Sequence, residues 1–235
     1  MVQSVPDRLK VTEQNPQGTC APESTTLTTH SASRRATSRE ALLLCLAELE
    51  TGRQRLSRMS VEQRVAILEQ CVSGIASVAS EWVDAACVAK GIPAGSPCRS
   101  EELLGGPVAT MRQLQLFCRA MRDIARSGAP RLPRMVASPD GKRVGVRVTP
   151  AAGMFDPLVF WNFQATTWLQ QGWDRERLEE NIAPAYRSLD EAGVTLVLGA
   201  GNVSGIPATD MLSKLCVENR AVLLKMNPVN EYLGP

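Results

Sequence analysis

The chain has 235 residues, enough for one domain or a domain and a half. Hydrophobic residues make up 44% and charged residues 21%, as in ordinary soluble proteins, and a net charge of +2 is too small to indicate nucleic acid or an anionic membrane as a partner. No uninterrupted apolar run approaches the roughly eighteen residues of a membrane span, and the N-terminus lacks the apolar core of a signal peptide, so a cytoplasmic location is the default expectation.

Cysteine and histidine usage gives no sign of a metal site. The seven cysteines form no C-x-x-C pair, and the single histidine, His30, lies in a polar stretch. A structural zinc site needs four converging ligands, and this spacing offers none. We therefore expect no metal, and buried or half-buried thiols in a reducing compartment.

The N-terminal residues 1–37 are rich in Ser, Thr, Gln and Pro, with almost no large apolar side chains. Such a segment buries too little surface to offset its ordering entropy, so the sequence predicts a disordered tail. Helical periodicity begins near Ser38, where leucines recur at three- and four-residue steps from Leu42 to Leu49. We expect a helical N-terminal region over 38–130.

A stronger helix is predicted to follow Ser60. Ser60 and Gln63 form a capping box, and the apolar residues beyond them recur at alternating steps of four and three, which predicts one apolar stripe along a long helix. Gly91 stands where such a helix would use a left-handed C-cap. A third helix is predicted from near Pro107 to Arg126. We see no catalytic residues in these helices and predict that they are scaffold.

The hydrophobic period changes in the second half of the chain. Asp140-Gly141 is a turn signal, and alternating valines from Val144 predict a half-buried strand. A short helix interrupted by Pro184 is predicted over 174–186. The apolar stretch between these two features has no clean period.

The C-terminal stretch predicts one βαβ unit. The apolar run VTLVLG (194–199) is typical of a parallel strand buried on both faces, and a glycine-rich turn follows it. Pro207 is suited to open a helix that Asn219 can end, and AVLLKM (221–226) predicts a second buried strand. The predicted fold class is α/β: N-terminal helices followed by an incomplete Rossmann-like parallel βαβ unit, with 131–235 as a partial nucleotide-binding α/β domain.

The glycine turn carries two overlapping motifs. Gly199-Ala200-Gly201 begins like the dinucleotide-binding fingerprint, but its third glycine would fall at Ser204, so by itself it is a weak signal. The larger pattern G-N-V-S-x-I-P, a helix, and then V-L-L-K-M-N-P resembles the aldehyde dehydrogenase superfamily. That family places an asparagine at the start of this unit and a lysine on the next strand, 23 positions apart, and Asn202 and Lys225 have the same separation, 225 − 202 = 23.

The resemblance covers about residues 38–235, with the specific motif in 194–235, and implies an NAD- or NADP-dependent oxidoreductase acting on an aldehyde or acyl group. By resemblance, Asn202 is the oxyanion-hole asparagine, whose amide N–H stabilises a developing negative oxygen. Lys225 hydrogen-bonds the adenosine ribose of the cofactor, and Gly199 and Gly201 belong to the cofactor-binding turn. The family often has a ribose-binding Glu three residues after the lysine; here Pro228 stands there, which leaves NAD and NADP open.

The family's reaction also needs a nucleophilic cysteine and a glutamate base, both well downstream of the lysine. The chain ends ten residues after Lys225, and none of its cysteines stands in the nucleophile's position. Cys216, the cysteine nearest the motif, falls on the predicted core face of the helix, where an inert thiol is expected. The resemblance therefore implies an N-terminal fragment that is catalytically incomplete.

Two alternatives remain open. One is a non-enzymatic helical interaction protein whose helices between 42 and 126 dock a partner, and it predicts an exposed apolar helix face. The other is one half of a split dehydrogenase, completed by a separate catalytic chain, because a lone βαβ unit leaves both sheet edges short of partners.

Overall fold

The computed structural model describes residues 37–151, 153, 155–187 and 193–234. Residues 37–235 belong to one compact unit. The predicted disordered tail, apart from Thr37, lies outside the described residues, and so do Cys20 and His30.

The described chain is a mixed α/β fold, as predicted. Its helices are α1 (Arg39–Arg58), α2 (Val61–Lys90), α3 (Arg99–Leu103), α4 (Ala109–Ser127), α5 (Phe155–Val159), α6 (Arg175–Asn181) and α7 (Ile206–Cys216). Its strands are β1 (Met135–Ala137), β2 (Val144–Thr149), β3 (Ala165–Trp168), β4 (Val194–Leu198) and β5 (Ala221–Lys225). A π-helical turn spans Leu104–Val108, and 3-10 turns span Pro184–Tyr186 and Pro228–Leu233.

Local capping chemistry sets the bounds of α2. The Ser60 side chain accepts from the backbone N–H of Gln63, the Gln63 side chain accepts from the backbone N–H of Ser60, and Gly91 ends the helix with φ 66°. Both predictions are confirmed. The third helix also forms as predicted: α4 begins at Ala109, just after Pro107, which lies inside the π-helical turn where Gly106 leaves the helical region.

The core forms where α2, α4 and α7 meet, so the predicted stripes of α2 and α4 are buried. The buried apolar cluster consists of Val65, Leu68, Leu114, Cys118, Met121, Ile124, Leu212 and Cys216. By contrast, no residue of α1 is buried, and Leu44 is 67% exposed although the helix itself forms. The helices of the core therefore do not support the interaction-protein alternative, whereas α1 does expose apolar surface.

An antiparallel three-stranded sheet, ordered β1-β2-β3, follows the helices. Asp140-Gly141 lies in the turn between β1 and β2, and Val146 of β2 is buried, which confirms the predicted strand. β3 and α5 form within the stretch whose sequence has no clean period, so neither was predicted. Downstream, α6 covers only part of the predicted helix, because it ends at Asn181, before Pro184.

The second sheet consists of β4 and β5, which pair in parallel with α7 as the crossover. This confirms the predicted strand-helix-strand unit, and Asn219 adopts φ 53° after α7. The prediction that β4 is buried on both faces is wrong. Val197 is buried, but Leu196 is 58% and Leu198 69% exposed, because α7 and α1, the helices that contact β4 and β5, leave these two side chains largely open to solvent.

Among the described residues, α2 is the one helix that is long and apolar enough to cross a membrane, with an 18-residue window of mean hydropathy 1.3. By length and composition alone this is a weak indication, since the core helix of a soluble protein meets the same criteria. Residues of α2 belong to the apolar cluster shared with α4 and α7.

Candidate functional site

The glycine turn and Lys225 lie at the same edge of the parallel sheet. Register pairs Leu198 with Lys225, and the Gly199 N–H donates to the Lys225 carbonyl at 2.8 Å. Asn202 lies three residues further along the turn, and both Asn202 and Lys225 are exposed. The structure thus brings the turn and the strand end together at the carboxyl edge, where α/β sheets bind ligands.

The two glycines of the turn lie close to other parts of the protein. A Cβ on Gly199 would lie 3.2 Å from Pro207 Cγ and 3.3 Å from the Lys225 carbonyl oxygen. A Cβ on Gly201 would lie 2.8 Å from the side-chain amide of Asn227. Gly199 and Gly201 therefore let the turn lie close against α7 and against the segment after β5.

The end of the turn docks onto the π-helical turn between α3 and α4. The Gly205 N–H donates to the Gly105 carbonyl at 3.2 Å, and a Cβ on Gly205 would lie 2.4 Å from that same oxygen. On the other side, a Cβ on Gly106 would lie 2.8 Å from Ser204 Oγ. The two backbones approach this closely because both surfaces carry glycine.

Ser204, at the position of the missing third glycine, anchors the turn to α2. It is 1% exposed, and its Oγ accepts from the indole Nε1 of Trp82 at 3.1 Å. The buried indole N–H is satisfied by this bond, so the pair ties α2 to the start of α7. This pair could not be predicted from the sequence, because the two residues are 122 positions apart and carry no shared motif.

A second anchor holds the backbone of Asn202. Lys90 Nζ donates to the Asn202 carbonyl at 3.1 Å and to Glu102 Oε1 at 2.6 Å. Glu102 is buried, and its carboxylate is satisfied by this lysine. The Asn202 backbone is thus held at its carbonyl while the residue remains exposed to solvent.

Asn230 completes the support from the C-terminal side. It is 0% exposed, and its Nδ2 donates to the Ala200 carbonyl at 2.8 Å. Tyr232 lies beside Ser204, and burial raises the pKa of its hydroxyl, which stays protonated at neutral pH. The turn carbonyls of residues 200 and 202 are therefore satisfied from two sides.

The N–H groups of the turn are left to other acceptors. Within the described part of the chain, the backbone N–H groups of residues 200–204 donate to no protein acceptor. They precede α7, where backbone donors and the helix dipole favour negative charge. Ser204 is buried, so the donors open to a ligand at this edge are those of the more exposed residues before it, such as Asn202, and the ammonium of the exposed Lys225.

Comparisons of the chain with protein-family models, with curated proteins and with solved structures gave no match.

An apolar cavity of about 660 Å³ opens beside this edge, between α2, α7, β5 and the C-terminal 3-10 turn. Trp82, Pro207, Met211, Leu224 and Tyr232 line it, and Glu81 is the one charged side chain among its lining residues. Pro207 and Tyr232 also pack next to the glycine turn, so apolar walls adjoin the polar edge. A ligand with both a flat apolar group and anionic groups could use the two surfaces together.

Cys216 is buried on the core face of α7, as predicted. Burial raises the pKa of its thiol to about 12. A thiol with that pKa is protonated at neutral pH and is a poor nucleophile. Among the described residues, no group of three His, Cys, Asp or Glu side chains is arranged to hold a metal ion.

Proposed function

We propose that this protein is the N-terminal, cofactor-binding portion of an aldehyde dehydrogenase-like oxidoreductase that acts in the cytoplasm on an aldehyde or acyl group with NAD or NADP. The observation that carries the proposal is the edge at which the glycine turn follows β4 and Lys225 ends the neighbouring parallel strand β5. Ligands of α/β sheets bind at such edges.

The donors at this edge fit a dinucleotide. Lys225 offers an ammonium for a ribose hydroxyl, the N–H groups of residues 200–203 offer donors for phosphate oxygens, and the neighbouring apolar cavity offers walls for an aromatic ring. When bound, the cofactor accepts or supplies hydride. Gly199 and Gly201 serve by shaping the turn.

In this proposal Asn202 donates its side-chain amide N–H to the oxyanion of the substrate. Lys90 holds the backbone carbonyl of Asn202, and the residue is exposed to solvent. Its side-chain amide is therefore accessible to a substrate. Cys216, the cysteine nearest to the motif in sequence, is buried and protonated and so does not supply the nucleophile. We propose that the nucleophile and the base come from residues outside this sequence, so that these 235 residues are catalytically incomplete.

A thermal-shift titration with NAD and with NADP tests the cofactor site. At a ligand concentration about 100 times Kd, binding stabilises the folded state by about 2.7 kcal/mol, which gives a saturable rise in Tm. Lys225→Ala should abolish the rise. The matched control is Lys142→Ala, which removes the same charge from an exposed turn of the other sheet. Absence of a rise with either nucleotide, or equal loss in both variants, would contradict the proposal.

An activity assay tests separately whether these 235 residues are catalytically incomplete. The purified chain should form no NADH or NADPH from an aldehyde, even at nucleotide concentrations that saturate the thermal shift. Turnover that survives further purification would show that the nucleophile and the base lie within these 235 residues.

A second candidate function, one half of a split dehydrogenase, is favoured by the exposed face of β4. Leu196 and Leu198 are more than half exposed on a two-stranded parallel sheet, and parallel sheets are normally covered on both faces. A complementary catalytic chain would extend the sheet and cover these side chains. Co-expression with the product of an adjacent reading frame that encodes the rest of the fold should then give NAD-dependent turnover; no turnover, with both products soluble, would count against this candidate.

A further inference from the structure

A basic cavity lies between α4, β2 and the segment before β1. Its volume is about 530 Å³, and five charged side chains line it: Arg119, Arg131, Arg134, Arg147 and Asp123. We call it the arginine cavity. It shares no lining residue with the apolar cavity beside the glycine turn.

The carboxylates near the arginine cavity are already engaged. Asp123 accepts from Arg131 Nε at 3.0 and 3.1 Å. Asp156, whose charge is felt by Arg119, accepts two hydrogen bonds of 2.8 Å from Arg112. Within the described residues, no carboxylate forms an ion pair with the remaining three guanidinium groups that line the cavity. The cavity therefore carries an excess of positive charge.

Two of these arginines are placed side by side by the sheet. The Arg147 N–H donates to the Arg134 carbonyl at 2.9 Å, directly beyond the register pair Met135 and Val146. Like charges opposite each other on adjacent strands repel, so an anion bound between them would stabilise this arrangement. Moreover, Arg147 Nε is buried and has no hydrogen-bond partner in the described protein. The hydrogen-bonding groups of Arg147 are thus not all used within the described protein.

We propose that the arginine cavity binds a small organic phosphate, and that the guanidinium groups of Arg147 and Arg134 donate hydrogen bonds to its phosphate oxygens. Guanidinium forks match phosphate oxygens bidentately. The remaining wall is largely apolar, including Leu116, Leu132 and Val148, which suits a ligand with an apolar body. The volume falls within the range of about 300–1,000 Å³ that is usual for small-molecule sites, and it exceeds what a bare phosphate ion fills.

Calorimetric titration of the full chain with phenyl phosphate tests the proposal, with inorganic phosphate as the probe that lacks the apolar body. Phenyl phosphate should bind, and inorganic phosphate should bind more weakly. Arg147→Gln and Arg134→Gln should each raise Kd by about tenfold or more, because each removes charged hydrogen bonds to the anion. Arg134 is exposed on the segment before β1, so its variant stays informative if Arg147→Gln fails to fold.

The matched control is Arg143→Gln, which removes the same charge from an exposed position of the β1–β2 hairpin that does not line the cavity. It should change Kd by less than about twofold, since exposed charges are screened. Lys225→Ala should leave the phenyl phosphate affinity unchanged, which separates this site from the proposed cofactor site. No binding by the native chain, an equal loss in Arg143→Gln, or loss in Lys225→Ala would overturn the proposal.

Discussion

Gly205 is the position in the glycine turn at which adding a single methyl group should destabilise the protein most. Its backbone, with φ −78° and ψ −20°, lies in the right-handed helical region that alanine adopts readily. The effect of Gly205→Ala is therefore decided by the space around the new Cβ. That atom would lie 2.4 Å from the Gly105 carbonyl oxygen, about 1 Å inside ordinary van der Waals contact, which begins at 3.4 Å.

The partner in this contact is backbone, so the strain cannot be relieved by a side-chain rotation. Overpacking costs about 1–3 kcal/mol. Pushing the two turns apart also removes the hydrogen bond from Gly205 N–H to Gly105, which contributes about 1 kcal/mol. We expect Gly205→Ala to lower the free energy of unfolding by about 2–4 kcal/mol, a large share of the roughly 5–15 kcal/mol of a typical domain.

Urea denaturation monitored by far-UV circular dichroism measures the change, and Gly74→Ala is the matched control. Gly74 lies within α2 with no neighbouring atom within 4 Å of a new Cβ. The same chemical change there should stabilise the protein by about 0.5–1 kcal/mol, because alanine loses less backbone entropy in a helix. If Gly205→Ala proved neutral or stabilising, the close docking of the two turns would be refuted.

Three further predictions concern acid, thiol chemistry and the core. The Arg112 guanidinium holds the pKa of Asp156 below its ordinary value, so the stability from this pair is present above about pH 4 and lost as pH falls through the lower folded value. Asp156→Asn should therefore flatten the acid limb of urea midpoints measured against pH, and an unaltered limb would contradict the pairing. A thiol reagent at pH 8 should label the exposed Cys45 quickly and Cys216 only on unfolding, because Cys216 is buried and burial raises its pKa to about 12. Mass spectrometry measures the two labelling rates, and equal rates would show that α7 is not packed as described. Since that folded pKa lies above the ordinary 9.0, stability should be full below pH 9 and decline as pH rises towards 12. Leu114→Ala should cost about 2–5 kcal/mol in urea unfolding, since the side chain is 0% exposed, and a loss under about 1 kcal/mol would be incompatible with its position in the core.

The features that the sequence predicted correctly are those set by neighbours along the chain. The capping box at Ser60 and the glycine cap at Gly91 depend on residues within one turn of the helix, so their pattern is legible without a fold. The valines of β2 and the apolar runs of β4 and β5 carry their own period. Even the placement of Lys225 at the carboxyl edge follows from strand order, because both strands of a βαβ unit end on the same side.

The anchors of the candidate site could not be predicted in this way. Trp82 meets Ser204 across 122 positions, and Lys90 meets the Asn202 carbonyl across 112. Such pairs depend on how α2 packs against the unit that carries the turn, and packing leaves no periodic trace in either segment. The same holds for the arginine cavity, whose charges are unremarkable until the hairpin and α4 enclose them.

By itself, then, the sequence determined the three long N-terminal helices, the strands β2, β4 and β5, the caps of α2 and the glycine turn, since local hydrogen bonding and hydrophobic period are short-range properties. Only the tertiary structure decided which apolar stripes are buried: Leu114 is enclosed, whereas Leu44 and Leu198, equally apolar, face solvent. It also decided why Gly205 must be glycine, because the oxygen it meets belongs to a turn 100 residues earlier in the chain. Burial and close contact are properties of surfaces brought together by folding, and the residues on one side do not specify what will cover them.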